Sequence, residues 1–197
     1  MSSLLIASNN PGKLRELRAL LEHLHLSIVE PASLGLELHV EETGEDYAAN
    51  ARKKALAFTR ASGLYALADD SGLEVEALHG APGKYSARIV GGSDADRRRY
   101  LLQLLQPHPR PWRARFCCTL ALADPEGSTD IATGTCPGEI IPQERGEHGF
   151  GYDPIFLVQD TDQTMAELRV RQKNRVSHRA HAMREMLPIL KRRMGIR

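Results

Sequence analysis

The chain alternates short unbroken apolar runs with stretches in which apolar residues recur every three or four positions. Residues 4–7 (LLIA) form a run of the first kind. It ends at Ser8-Asn9-Asn10-Pro11-Gly12, which predicts a buried strand entering a tight turn. Behind it Leu14, Leu17, Leu20, Leu21 and Leu24 keep helical spacing, and Pro11 sits where a first helical turn accepts proline, so a helix is predicted to about His23. A second strand follows at 26–29. Strand, turn, helix and strand in that order open an α/β sheet.

The pattern continues down the chain. Thr43 caps a predicted helix over 45–61 that Gly63 ends, and Ala48, Ala51 and Ala55 give it a small-residue face suited to close packing on a sheet. Residues 64–68 read as a strand that delivers Asp69-Asp70-Ser71-Gly72 as a turn, with another strand over 73–78. A Gly/Pro-rich loop, HGAPGKYSAR, leads to a helix over 94–105, and Pro107, Pro109 and Pro111 mark a rigid connection. Residues 115–123 and 128–135 predict a hairpin about Asp124-Pro125-Glu126-Gly127. A last helix is expected from near Ser177 towards Lys191, with Pro188 as a kink or frayed end. No internal repeat, low-complexity tract or linker interrupts this order.

A length of 197 residues suits one domain, or one domain with two lobes. With 26 basic against 25 acidic residues the net charge is +1, which argues against a dedicated nucleic-acid or membrane binder and leaves local basic clusters to hold an anionic small ligand. Cys117, Cys118 and Cys136 are odd in number and form no C-x-x-C pair, so neither a disulfide framework nor a zinc site is expected. The N-terminal apolar run is too short for a signal peptide and no stretch reaches membrane-spanning length, which predicts a cytoplasmic protein.

Five polar segments in predicted turns or at strand ends are candidates for chemistry. Ser8 to Lys13 (SNNPGK) offers a phosphate free backbone N–H groups, the positive end of a helix and the charge of Lys13. It lacks the first glycine and the Ser/Thr of a Walker A loop, and it also reads as an ordinary Asn-Pro-Gly turn. Asp69 and Asp70 point to opposite faces of an extended chain. One then holds Mg²⁺ or takes a proton from water while the other supports the loop, unless both simply belong to a polar turn. Glu41-Glu42 supplies either a further Mg²⁺ ligand or a partner for the helix dipole. Gly149 to Pro154 (GFGYDP) either lets backbone approach a ligand beneath an aromatic ring or wraps a core aromatic; Asp153 is held extended by Pro154. In KNRVSHRAHA, 173–182, His178 and Arg179 are cations placed against a helix dipole, which suits an anionic or carbonyl-bearing ligand or a solvated basic face.

In their order along the chain, these segments resemble the RdgB/HAM1 family, the inosine triphosphate or noncanonical purine NTP pyrophosphatases. The matching stretches are SNNPGKLRE (8–16), EETG (41–44), NARKKA (50–55), ADDSGLEVEALHGAPGKYSAR (68–88), GFGYDPIF (149–156), MAEL (165–168) and K-x-x-x-SHR (173–179). The resemblance spans essentially the whole chain. It implies a single domain, 1–197, with an elongated two-lobed α/β fold, a long mixed sheet flanked by helices and a substrate cleft between lobes. It also implies a cytoplasmic homodimer that hydrolyses ITP, dITP and XTP to monophosphate and pyrophosphate with Mg²⁺, cleansing the nucleotide pool.

Carried over residue by residue, the resemblance implies that Ser8, Asn9, Asn10, Pro11, Gly12 and Lys13 grip the triphosphate and that Lys53 contacts phosphate. Asp70 is the metal-binding general base, Glu41 a further metal ligand, and Ser71 a substrate contact. Phe150, Gly151, Tyr152 and Asp153 line the nucleoside pocket with Lys173, His178 and Arg179, and Arg179, a donor-only group, favours a purine carbonyl over an adenine amine. The chain departs from the family at Ala49, where many relatives carry glutamate, and at RVRQK, which is more basic than the acidic version common in relatives. Two rival readings are a Maf-like pyrophosphatase of different base specificity, whose basic N-terminal signature differs from SNNPGK, and a non-catalytic nucleotide-binding regulator, which would need no base.

Overall fold

The computed structural model describes residues 3–196, a mixed α/β sheet flanked by helices. In chain order the elements are β1 (Ser3–Ile6), α1 (Pro11–Leu21), β2 (Ser27–Val29), α2 (Tyr47–Ser62), β3 (Tyr65–Val75), β4 (Pro82–Gly83), α3 (Asp94–Leu105), β5 (Trp112–Ala123), β6 (Thr129–Ile140), β7 (Phe156–Val158), α4 (Val170–Val176) and α5 (His178–Met194). Strand order is β2-β1-β3-β5-β6-β7, with β4 paired to β3. The chain forms two compact units and crosses from one to the other after residues 70, 117, 134 and 178.

The first unit holds the residues up to Asp70, Cys118–Gly134 and those from Arg179 onward. In it β1 pairs in parallel with β2 and with the start of β3, Leu5 lying opposite Val29 and Ala66. Strand alternation sorts the side chains into two layers. Leu4, Ile6, Leu67, Leu120 and Leu122 face one side, where Leu17 and Leu21 of α1 and Met183, Met186 and Leu190 of α5 pack on them. Leu5, Ala66, Ala68, Ala121 and Ala123 face the other, against Ala51, Ala55 and Phe58 of α2. Small residues on both partners let α2 come close, as its alanines predicted. The hairpin joining β5 and β6 is closed by Asp124, whose carboxylate accepts from the Ser128 amide at 2.8 Å and whose carbonyl accepts from the Gly127 amide at 3.0 Å.

The second unit comprises Ser71–Cys117 and Thr135–His178. Its core gathers Leu73, Val75, Leu101, Leu105, Trp112, Phe116, Ile140, Tyr152, Ile155 and Phe156. Here β6 and β7 run antiparallel with Gly138 opposite Val158.

Three sequence expectations change. β3 is one unbroken strand of 11 residues, so Asp69 to Gly72 is strand rather than turn, and no separate strand covers 73–78. Both aspartates are charged yet tolerated inside it because each meets cations from neighbouring elements. α2 begins at Tyr47 and is capped by Asp46, whose carboxylate accepts from the Ala49 amide at 2.7 Å, in place of Thr43. The last helix runs through Pro188 to Met194, and Ser177 ends α4, an element the sequence reading did not anticipate.

Gly138 has no room for a side chain: a Cβ would meet the Leu157 carbonyl oxygen at 2.3 Å and the Phe156 ring at 2.7 Å. Gly138→Ala is expected to force β6 and β7 apart at a cost of ~1–3 kcal/mol. The thermal midpoint should fall by roughly 2–10 °C, and an unchanged midpoint in a melting experiment contradicts this account.

Candidate active site

In the first unit the turn after β1 satisfies most of its own amides, so the free N–H groups expected there are largely occupied: Ser8 N–H donates to the Ile6 carbonyl at 2.9 Å and Leu14 N–H to the Asn10 carbonyl at 3.0 Å. Asn10 caps α1, its side-chain oxygen accepting from the Lys13 amide at 3.1 Å, and Ser8 Oγ accepts from the Asn10 amide at 3.2 Å. Asn9 Nδ2 donates to the Leu38 carbonyl at 2.9 Å. Pro11 is the first helical residue and Gly12 is buried. Lys13 thus stands in the first turn of α1, where the sequence placed it, and its ammonium pairs with Asp69.

Asp69 is wholly enclosed. Lys13 Nζ meets one carboxylate oxygen, and the other takes Arg179 Nε at 2.8 Å and the Cys118 thiol at 3.1 Å. Arg179, with 1% of its surface exposed, also pairs through Nη1 with Glu16 of α1. Burial pushes the Asp69 carboxyl up, but Arg179 and Lys13 outweigh it and hold the group well below the usual carboxylate range.

Asp70 points to the opposite face, as a strand requires, and meets α2. Lys54 Nζ lies 3.1 Å from Asp70 Oδ1, 2.8 Å from Glu42 Oε1 and 2.7 Å from the Asp69 carbonyl. Asn50 Nδ2 donates to Asp70 Oδ2 at 3.1 Å, while its oxygen accepts from the Gly44 amide at 2.7 Å. Burial pushes Asp70 up, and the pull of Lys54 and Lys13 does not cancel it, so its carboxyl sits above the usual range. Lys54 shifts up too: Asp70 and Glu42 outweigh the effect of its burial.

The acid and lysine facing Asp70 are therefore Glu42 and Lys54, where the sequence pointed to Glu41 and Lys53. For the lysine, the phase of α2 is the reason; Glu42 lies in the irregular segment before that helix and reaches Lys54 from there. Asn50, Ala51, Ala55, Phe58 and Thr59 form the buried stripe of α2, and Lys54, one turn beyond Asn50, shares its edge. Lys53 is exposed and donates to Thr43 Oγ1 at 3.1 Å; Glu41 is exposed. Asn50 and Lys54 escaped the sequence reading, although their i,i+4 spacing beside the alanine face was the available signal.

The second unit holds the remaining predicted residues. Asp153, 3% exposed, accepts from the Phe150 amide at 2.9 Å and from Lys173 Nζ, which lies 5.4 Å from the centre of the Phe150 ring. Gly149 has φ +79°, and a Cβ there would meet Asp153 Oδ2 at 1.9 Å, so only glycine fits. The Tyr152 hydroxyl donates to the Ser86 carbonyl at 2.8 Å. His178 is buried, its ring stacked on Phe116 at 4.8 Å. Ser71, just past the crossing, is half-buried. A groove of about 910 Å³ in this unit, with Glu74, Glu139, Arg113 and Arg115 in its wall, includes none of these residues. Among the described residues no three His, Cys, Asp or Glu side chains converge as a metal cage, and no helix is long and apolar enough to cross a membrane.

Comparison with known proteins identifies relatives of the chain. A model of the Ham1 family matches residues 4–189. A dITP/XTP pyrophosphatase of Desulforamulus reducens is 46% identical over 192 residues, covering 96% of both chains. One from Prochlorococcus marinus is 49% identical over 189 residues, covering 95% of this chain and 90% of the relative. Among solved structures, a HAM1 protein from Coxiella burnetii superposes with a TM-score of 0.86 at 37% identity, over 98% of this chain and 100% of the other.

The depressed Asp69 carboxyl has a consequence for acid stability. The unfolded chain takes up this proton more readily than the folded one. The stabilisation is therefore complete above the unfolded value and is lost as pH falls below it towards the folded one. The urea midpoint of the wild type is expected to drop as pH falls from about 4 towards 2, and Asp69→Asn should show a shallower drop. Equal slopes for the two proteins rule out this role for Asp69.

Proposed function

The chain belongs to the Ham1 family, and from that premise we propose that it is a magnesium-dependent pyrophosphatase of noncanonical purine nucleoside triphosphates. Its reaction takes ITP, dITP or XTP to the monophosphate and pyrophosphate, which keeps these nucleotides out of DNA and RNA. The reading includes one catalytic domain over the whole chain, a homodimer and a cytoplasmic setting. The observation that carries it is the buried Asp70 carboxyl, raised above its ordinary range and held at both oxygens by Lys54 and Asn50. A regulator that merely bound nucleotide has no use for such a base.

The donor set suits magnesium. Glu42 and Asp70 already share one cation, the Lys54 ammonium, and Mg²⁺ is commonly held by one or two carboxylates completed by phosphate oxygens and water. When bound by Asp70 and Glu42, the ion supplies acidified water and neutralises polyphosphate charge. Asp70 takes the proton of the water that attacks the α-phosphorus. The bond from that phosphorus to the bridging oxygen breaks, and pyrophosphate leaves with the bonding pair. Lys13 and Lys54 offset the charge that develops on it, a task given to Lys54 over Lys53 because Lys54 is the lysine beside Asp70. Asn50 fixes the second Asp70 oxygen and so aims the accepting one.

At the nucleoside end we assign Phe150, Gly151, Tyr152, Asp153, Lys173 and His178, with Ser71 as a further contact. Arg179 favours a carbonyl at purine position six because it only donates. It also neutralises Asp69 and Glu16, so its removal disturbs more than base choice.

Asp70→Asn is expected to fold and to lose ~10²–10⁴-fold in kcat, since an amide accepts no proton. Folded Asp70→Asn hydrolysing ITP within a few-fold of wild type refutes the assignment, as does full wild-type activity in excess EDTA after dialysis. Lys54→Met should lose on the order of 10²-fold in kcat/KM, against about twofold for Lys53→Met. The reverse order returns the phosphate role to Lys53.

A further inference from the structure

We infer that Asp94 and Arg98, one helical turn apart at the start of α3, are positioning residues that set base specificity by clamping the backbone of Gly151 at both its N–H and its carbonyl. The Gly151 N–H donates to Asp94 Oδ2 at 2.7 Å, and the Gly151 carbonyl accepts from Arg98 Nη1 at 2.8 Å. Neither residue belongs to the sequence motifs that mark the site. The inference rests on the pyrophosphatase reading and on the loop from Phe150 to Asp153 being the wall against the base.

That loop needs an external hold. It carries glycines at φ +79° and +62°, positions 149 and 151, where the backbone has the most freedom to lose. Asp153 fixes its ends through the Phe150 amide and Lys173, its own N–H closes the turn onto the Phe150 carbonyl at 3.2 Å, and the Tyr152 hydroxyl is held by Ser86; the N–H and carbonyl of Gly151 are held by the α3 clamp. The clamp is itself rigid. Arg98 grips Glu144 with two further donors, Nε at 2.8 Å and Nη2 at 2.9 Å, a fork that fixes the guanidinium plane. Arg97 occupies the other Asp94 oxygen at 2.5 Å. Burial pushes Asp94 up, but the bonds from Arg97 and the Gly151 amide outweigh it, so the carboxylate stays ionised as an acceptor. α3 is anchored by the Ser93–Asp96 capping box and by Leu101 and Leu105 in the core. At Gly151 the wall thus takes its position from a helix.

ITP is bare at purine position two, XTP carries an accepting carbonyl there and GTP a donating amino group, so admitting the first two and rejecting the third is a choice of acceptor over donor that requires a wall held in place. Shifts on the order of 1 Å in such supports change rates by up to about 10²-fold. Loss of either arm is therefore expected to relax the preference for ITP over GTP and leave the polyphosphate end intact.

The test uses the full chain and three variants, Asp94→Ala, Asp94→Asn and Arg98→Met, each confirmed folded by its melting transition. Two quantities are read: the ratio of kcat/KM for ITP over GTP, and inhibition by inorganic tripolyphosphate, which has no base. Asp94→Ala and Arg98→Met should lower the ratio about tenfold with tripolyphosphate inhibition within about twofold of wild type. Asp94→Asn should restore most of it, because its amide oxygen still accepts from Gly151. An unchanged ratio in both deletion variants overturns the clamp, and so does weakened tripolyphosphate binding in step with the ratio, which signals a general structural loss. Wild-type protein that turns over neither nucleotide removes the pyrophosphatase reading before any variant is compared, and the clamp's role with it.

Discussion

A guanidinium buried between two carboxylates ties together α1, β3, β5 and α5 of the first unit. Arg179 reaches Asp69 in the middle of β3 and Glu16 on α1, Lys13 closes the other side of Asp69, and Cys118 of β5 adds its thiol. Each charge costs several kcal/mol to take out of water, and the set is tolerable only as a set. Its value is therefore in fixing arrangement more than in net stability. A sheet face otherwise lined with leucine admits one acid because the two helices packed on it each bring a cation. Cys118 fits the same logic: burial and the neighbouring Asp69 push its thiol well up, which keeps it a proton donor and not a nucleophile.

The two adjacent aspartates divide labour through the pleat of the strand. Asp69 lies on the face of Leu67 and serves architecture; Asp70 lies on the face of Ala66 and Ala68 and meets the polar edge of α2. Arg179 and Lys13 hold the Asp69 carboxyl low, while on the other face burial outweighs Lys54 and lets Asp70 rise. Neighbours in sequence can thus differ in proton affinity because they belong to different layers.

Much of the fold could be read from the chain. The period of the leucines in α1, the alanine face of α2 and the Asp-Pro-Glu-Gly turn each express local chemistry, and each element is present within about two residues of its expected bounds, though α2 takes Asp46 as its cap in place of Thr43. Pairing across the chain was not readable in this way. Asp69 to Gly72 looks like a turn because its compensating cations sit at residues 13, 54 and 179, out of view of any local window. The choice between Lys53 and Lys54 turned on the phase of one helix, and that between Glu41 and Glu42 on which of two residues in the irregular segment before it reaches Lys54. The asparagine at 50 and the alanines at 51 and 55 determine that phase more firmly than motif spacing does. Asp94 and Arg98 read as an ordinary charged helix start, since the glycine they hold is more than 50 residues away.

The same long separations bear on how the polypeptide is made. Arg179 meets partners that precede it by 110 and 163 positions. During synthesis from the amino end, Asp69 and Glu16 emerge long before the cation that neutralises their pairing site. A nascent chain that has not reached residue 179 has Lys13 for Asp69 but neither Arg179 nor the apolar side chains of α5, and the leucine-lined layer they cover stays open. Completion of the first unit is thus deferred until α5 leaves the ribosome, which makes the intervening period the one in which this chain has most need of protection from aggregation.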